Sequence, residues 1–185
     1  VEQTRCGWVD IGDTADAVLY RDYHDTEWGR PLRDSAALFE RVSLEAFQSG
    51  LSWLIILRKR ENFRTAFAGF DPDRVAGFGD ADVARLLDDA GIVRNRAKIL
   101  ATMGNARLVE AMAPGELDAL MWSFAPSPRP TGERPARFAD VPATTAASDA
   151  LSKALKKRGI ASHNLADAVV MAFAIEAQGA MGWFL

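Results

Sequence analysis

The stretch DSAALFERVSLEAFQSGLSWLIILRKRENFRTAF, residues 34–67, constrains the fold more than any other part of the chain. Its apolar residues recur at helical spacing through Leu38, Val42, Leu44 and Phe47, which reads as one long amphipathic helix or as two broken near Gly50. Asp34 or Ser35 suits the N-cap, because a short oxygen-bearing side chain can accept from the first free amides. Within it, LEAFQSGLSW places a carboxylate among apolar and small residues. On a continuous helix Glu45, Ser49 and Trp53 follow the i, i+4, i+8 row and share a face, while Leu44, Phe47, Leu51, Leu54 and Ile55 build the core side. A buried carboxylate is rare unless paired, because desolvating its charge is costly. Glu45 therefore needs an arginine, a tyrosine hydroxyl or a ligand, or it sits at a helix boundary and bends out into water.

The same period continues on both sides of Gly91. DPDRVAGF and GDADVARLLDDAG each carry aspartate at a helix entrance, and Gly91 suits a left-handed helix terminus. VRNRAKILATMGNARLVEAM resumes helical spacing through Ile99, Met103, Leu108 and Met112, and TTAASDALSKALKKRG reads as a capped helix with its lysines near the end. Between them, Ala125 to Thr145 holds five prolines and little periodicity, which predicts an extended loop. AVVMAFAI at 168–175 is bounded by Asp167 and Glu176 and reads as a buried helix, well short of the ~18 apolar residues a membrane span needs. No internal repeat and no alternating strand is visible. The chain is predicted to be all-α: a single domain over 1–185, with a helical core over about 34–124 and a smaller lobe from about 1–33 and 146–185.

At 185 residues, with 49% hydrophobic and 25% charged side chains, the composition is that of a folded globular protein. A formal net charge of -3 excludes a wholesale basic coat, so any nucleic-acid contact must come from a local patch. Cys6 is the single cysteine and cannot form an internal disulfide, and the first residues lack a basic then apolar leader pattern. A cytoplasmic location, no membrane association and a monomeric state are the expectations.

Three constellations could carry chemistry. AGIVRNRAKI, residues 90–99, sets a glycine turn between two helical patterns and follows it with Arg94, Arg96 and Lys98. Such a hairpin can direct backbone amides and the next helix's positive end at a phosphate, or it can be a plain corner with solvated cations. LYRDYHDTEWG, residues 19–29, concentrates Tyr20, Tyr23, His24, Glu27 and Trp28. Its aromatics could stack on an extruded base or simply cover the core. Cys6 and His24 could supply two metal ligands, short of the four of a structural zinc. The third constellation is the Glu45 stretch.

Together these residues resemble a known family. RCGWVD, YHDTEWGRPLRD, LFERVSLEAFQSGLSWLIILRKRENFRTAFAGFDP, LLDDAGIVRNRAKILATMGNAR, MWSFAP and SDALSKALKKRG, in that order from Arg5 to Gly159, are similar to the bacterial 3-methyladenine DNA glycosylase I family. The resemblance implies a helix–hairpin–helix DNA glycosylase fold and hydrolysis of the N-glycosidic bond of 3-methyladenine in alkylated double-stranded DNA, with free 3-methyladenine and an abasic site as products. It implies that Glu45 is the catalytic pocket carboxylate contacting the base, that Trp53 stacks on it, and that Tyr20 and Tyr23 line the pocket. Gly91, Val93, Arg94, Arg96 and Lys98 fall on the family's DNA-anchoring hairpin. Zn2+ is implied as a structural ion, with Cys6 and His24 matching two ligands. After Gly159 the chain has no cysteine and only His163, so the other two ligands have no counterpart. That departure keeps a second class of function in play, a non-catalytic binder of damaged DNA. A zinc-dependent hydrolase using Cys6, His24 and Glu27 is a third reading, without a complete ligand set.

Overall fold

The computed structural model describes Arg5, Val9 and residues 11–28, 30–125 and 144–160, and all regular structure among them is helical. In chain order the elements are α1 (Ala15–Thr26), α2 (Ser35–Gln48), α3 (Trp53–Ala66), a 3-10 turn (Ala68–Phe70), α4 (Pro72–Ala76), α5 (Asp80–Asp88), α6 (Arg96–Glu110), α7 (Glu116–Trp122) and α8 (Ala146–Lys157). The all-α expectation holds for these residues. The proline-bearing segment over 126–143, the AVVMAFAI stretch, Cys6 and His163 lie outside the described residues.

The caps explain where helices begin. Asp34 Oδ1 accepts from Ala37 N at 2.8 Å and opens α2, Asn95 Oδ1 accepts from Lys98 N at 3.1 Å and opens α6, and Thr145 with Ser148 forms a capping box at α8. Residues 34–67 form two helices. α2 ends at Gln48, and Gly50 takes φ +83°, a left-handed conformation that glycine adopts without steric cost. This break overturns the single i, i+4, i+8 row: Ser49 is the C-cap residue of α2, and Trp53 opens a new helix. It also changes the core side. Leu51 lies in the exposed joint, Leu54 and Ile55 are only half-buried, and Ile56 and Leu57 fill the interior in their place.

Phenylalanines join α2 to α3. Phe47 meets Phe63 at 4.7 Å between ring centroids, and Phe67 stacks on Phe70 at 5.4 Å. Each fully buried large apolar side chain contributes about 1.5–3 kcal/mol relative to exposure. That burial offsets the strained left-handed φ of +54° at Phe70. Leu117 and Met121 of α7 and Leu151 and Leu155 of α8 join the same buried cluster, as does Tyr23 of α1. Among the described residues no helix is long and apolar enough to cross a membrane.

Candidate functional site

Glu45 and Phe47 are two positions apart on α2, roughly 200° around a helix of ~3.6 residues per turn. With Phe47 turned to Phe63 of α3 and to Phe67 just beyond its end, Glu45 is carried to another side, yet it stays only 5% exposed. The residue one turn before it on the same face is Arg41. Arg41 Nη1 donates to the Tyr23 hydroxyl at 2.8 Å, and Nη2 donates to Glu27 Oε2 at 3.2 Å. Its guanidinium carbon lies 5.4 Å from the centroid of the Tyr23 ring and 5.7 Å from that of Trp53. Tyr23 and Trp53 are themselves 5.6 Å apart at a tilt of 54°. From α3, Arg60 Nη1 donates to both Glu27 oxygens, at 2.6 and 2.8 Å. Tyr23, Trp53 and Glu45 thus converge around one arginine, each from a different helix.

The electrostatics follow from that packing. Burial pushes the Tyr23 phenol up to about 12, with Arg41 opposing the rise and Glu45 adding to it. Tyr23 is therefore a neutral phenol at physiological pH. Burial alone would lower the pKa of Arg41, but Tyr23, Glu45 and Glu27 outweigh it and hold the group above its ordinary value. The arginine is one of the partners a buried Glu45 requires. Its i, i+4 spacing was the available signal in the sequence, and the reading of the residues passed over it, together with Arg60. Glu27, considered as part of a metal hydrolase, is instead clamped between two guanidiniums, which leaves it ill suited as a general base or ligand.

Tyr20 stands one turn before Tyr23 on α1, half-buried, and adds to the raised pKa of Arg58, which bonds chiefly to Asp16. His24 is buried, stacks on Trp28 at 5.4 Å and places Nδ1 2.9 Å from Asp25 Oδ1. A hydrogen bond from Arg5, supported by His24, holds the Asp25 carboxyl below its ordinary range. Among the described residues no group of three or more metal-ligating side chains comes together.

The hairpin between α5 and α6 is present, with three corrections in how its residues work. Gly91 is not left-handed. Glycine is needed there because a Cβ would come 2.9 Å from Asp89 Oδ1 and 3.1 Å from the Asn62 side chain. Its amide does not reach out to a phosphate either, since it donates to Asp89 Oδ1 at 2.7 Å. Lys59 and Asn62 of α3 hold its carbonyl at 3.1 and 3.3 Å. Lys98 turns inward: its Nζ donates to the carbonyls of Phe47 at 2.9 Å and Ser49 at 2.6 Å. It thereby satisfies acceptors at the negative end of α2, and burial holds it below its ordinary pKa. Val93 packs against the core, and Arg94 and Arg96 are exposed. The basic surface of the turn is these two arginines, while Lys98 ties the hairpin to the helix that carries Glu45.

Comparison with known proteins places the fold. The profile of a family described as methyladenine glycosylase matches residues 13–181, running past Gly159, where the recognisable motifs end. DNA-3-methyladenine glycosylase 1 of Escherichia coli (strain K12) is 49% identical over 157 residues, which is 84% of this chain and 81% of that protein. A crystal structure of 3-methyladenine DNA glycosylase I superposes with a TM-score of 0.80 at 42% identity, covering 95% of this chain and 94% of the other. The Staphylococcus aureus enzyme, whose structure addresses recognition of 3-methyladenine, superposes with a TM-score of 0.74 at 31% identity over 91% of this chain and 89% of its own.

Proposed function

The chain belongs to the methyladenine glycosylase family, and from that premise we propose that the Tyr23–Trp53–Glu45 cluster is where it receives an extruded 3-methyladenine. The enzyme is a DNA glycosylase of base-excision repair: it hydrolyses the N-glycosidic bond of 3-methyladenine in alkylated DNA. Free base and an abasic site are the products. The observation that carries the site assignment is the convergence of a buried carboxylate with two aromatic rings from three separate helices.

The chemistry asks little acid–base work of the protein. 3-Methyladenine is cationic within DNA, so its bond to the sugar is already weakened, and the base leaves with the bonding electron pair as a neutral molecule. Electron-rich aromatic faces and an anionic Glu45 favour that cation over an ordinary base. The reaction proceeds through dissociative loss of the base followed by attack of water at the sugar carbon. Glu45 recognises the base and stabilises the positive charge that develops on the sugar. Tyr20 lines the same side from α1, and Gly91, Val93, Arg94 and Arg96 form the element that grips the DNA backbone, with the two arginines making its charged contacts. The protein acts as a monomer in the cytoplasm.

Zinc enters this reading as a structural ion only, with Cys6 and His24 as ligands. Support comes from the Nδ1 contact of His24 with Asp25, the kind of carboxylate contact that orients a metal-binding imidazole. The remaining ligands would have to come from outside the described residues. Metal analysis of the purified protein should find about one zinc per chain, and a metal-free folded protein would remove zinc from the account.

The direct test is incubation with methylated duplex DNA. Release of free 3-methyladenine supports the enzyme, whereas tight binding without release supports the non-catalytic binder of damaged DNA.

A further inference from the structure

Arg41 lies at the centre of the site, yet neither the sequence motifs nor the chemistry of base loss calls for a cation there. A fixed positive charge beside a site for a cationic base should weaken binding, unless it does something that outweighs the repulsion. Its geometry shows what that is. One guanidinium edge donates from Nη1 to the Tyr23 oxygen at 2.8 Å, and the other nitrogen, Nη2, donates to Glu27 at 3.2 Å. A phenol oxygen that accepts a hydrogen bond from a guanidinium keeps its own O–H as a donor and turns it away from the cation. The guanidinium also spans both aromatic rings of the site, at 5.4 and 5.7 Å from their centroids. Glu27, gripped from the far side by Arg60, prevents the guanidinium from swinging out. Glu27 accepts from Arg60 of α3 and from Arg41 of α2, and Arg41 donates on to Tyr23 of α1, which joins the helices that supply Trp53, Glu45 and Tyr23.

We propose that Arg41 is a positioning residue for base recognition: it orients the Tyr23 hydroxyl as a hydrogen-bond donor into the site and fixes the separation of the Tyr23 and Trp53 rings. This rests on the reading of the cluster as the base site. The planar fork matters, because a single ammonium cannot hold both Tyr23 and Glu27 in the same arrangement. Glu27, shared with Arg60, offsets part of the charge of Arg41, which limits its repulsion of the cationic base.

The test is a double-mutant cycle of Arg41→Met, Tyr23→Phe and the pair together. For each protein, kcat/KM for 3-methyladenine release from methylated duplex, affinity for free 3-methyladenine and affinity for undamaged duplex are measured. Arg41→Met should lower kcat/KM and free-base affinity by about 10- to 100-fold, the size of a charged hydrogen bond. Tyr23→Phe should do likewise, and the pair should fall no further than the worse single variant, because both remove one interaction. Duplex affinity should stay unchanged. Losses that multiply in the pair would overturn the proposal, as would an Arg41→Met protein that matches or exceeds the wild type. Should Arg41→Met fail to fold, Arg41→Lys carries the same cycle: it should lose activity in step with Tyr23→Phe, and independence there counts against the role. Absence of base release by the wild-type protein would count against the glycosylase reading itself. The cycle read in free-base affinity would still decide the role of Arg41.

Discussion

The acid in LEAFQSGLSW has an arginine one helical turn away whose charge favours it, and that arginine also bonds a buried phenol that keeps its proton. The phenol makes a prediction about alkaline stability. Its pKa is raised from 10.0 to about 12 in the fold, so between those values the native state binds more protons than the unfolded chain. Stability from this group is complete below pH 10 and is lost as pH rises through about 12. Tyr23→Phe should flatten the fall in stability measured by denaturant unfolding over that interval, and an unchanged slope would show that the phenol ionises without cost. At this scale the sequence exposed the anomaly and left its resolution open. The rarity of a buried carboxylate singled out Glu45, and an arginine was among the partners considered. The i, i+4 spacing of Arg41 to Glu45 was legible on one helix, whereas the bond from Arg41 to Tyr23 depends on α2 meeting α1, and that requires the packing. Glu27 shows the same limit, since its two arginines lie 14 and 33 residues away in sequence.

At the scale of elements, the joint between α2 and α3 and the α5–α6 hairpin are fastened to each other. Lys98 closes the end of α2, while Lys59 and Asn62 of α3 hold the carbonyl side of the turn. The helix boundaries were largely legible because their signals are local: Asp34, one of two candidate caps, opens α2, and the capped helix read in TTAASDALSKALKKRG begins at its second threonine, Thr145. The break near Gly50 was legible as one of two alternatives. The assignment of Lys98 to DNA failed because proximity to Arg94 and Arg96 along the chain says nothing about the α2 terminus 49 residues away. Gly91 was identified for its glycine and given the wrong reason, since the crowding comes from Asp89 in the turn and from Asn62 on another helix. These placements separate two kinds of basic residue by experiment. Lys98→Ala should cost about 1.5–3 kcal/mol of stability in denaturant unfolding and leave the salt dependence of duplex binding intact. Arg94→Ala and Arg96→Ala should be nearly neutral for stability, and each should reduce the slope of log affinity against log salt by about 1. A lower slope for Lys98→Ala would return it to the DNA surface.

For the whole molecule, a net charge of -3 is compatible with a DNA substrate because the work is divided. In the proposed reading, two exposed arginines at a turn take the backbone and a small buried cluster takes one base. The all-helical class was readable from periodicity alone, since no segment alternates with period two. The packing of α8 beside α7 in the shared core was not, because it joins residues about 30 positions apart across the proline-bearing segment. Family resemblance supplied the reaction, and the proposed role of Glu45 rests on its burial on the helix whose Arg41 spans the Tyr23 and Trp53 rings. The most direct test of that claim compares wild type and Glu45→Gln in two assays run in parallel, 3-methyladenine release from methylated duplex and binding to undamaged duplex. If Glu45 recognises the cationic base, release should fall by at least about 100-fold, in line with loss of a buried charged contact, while duplex affinity stays within a few-fold. Equal losses in both assays, or full release by the variant, would contradict the account.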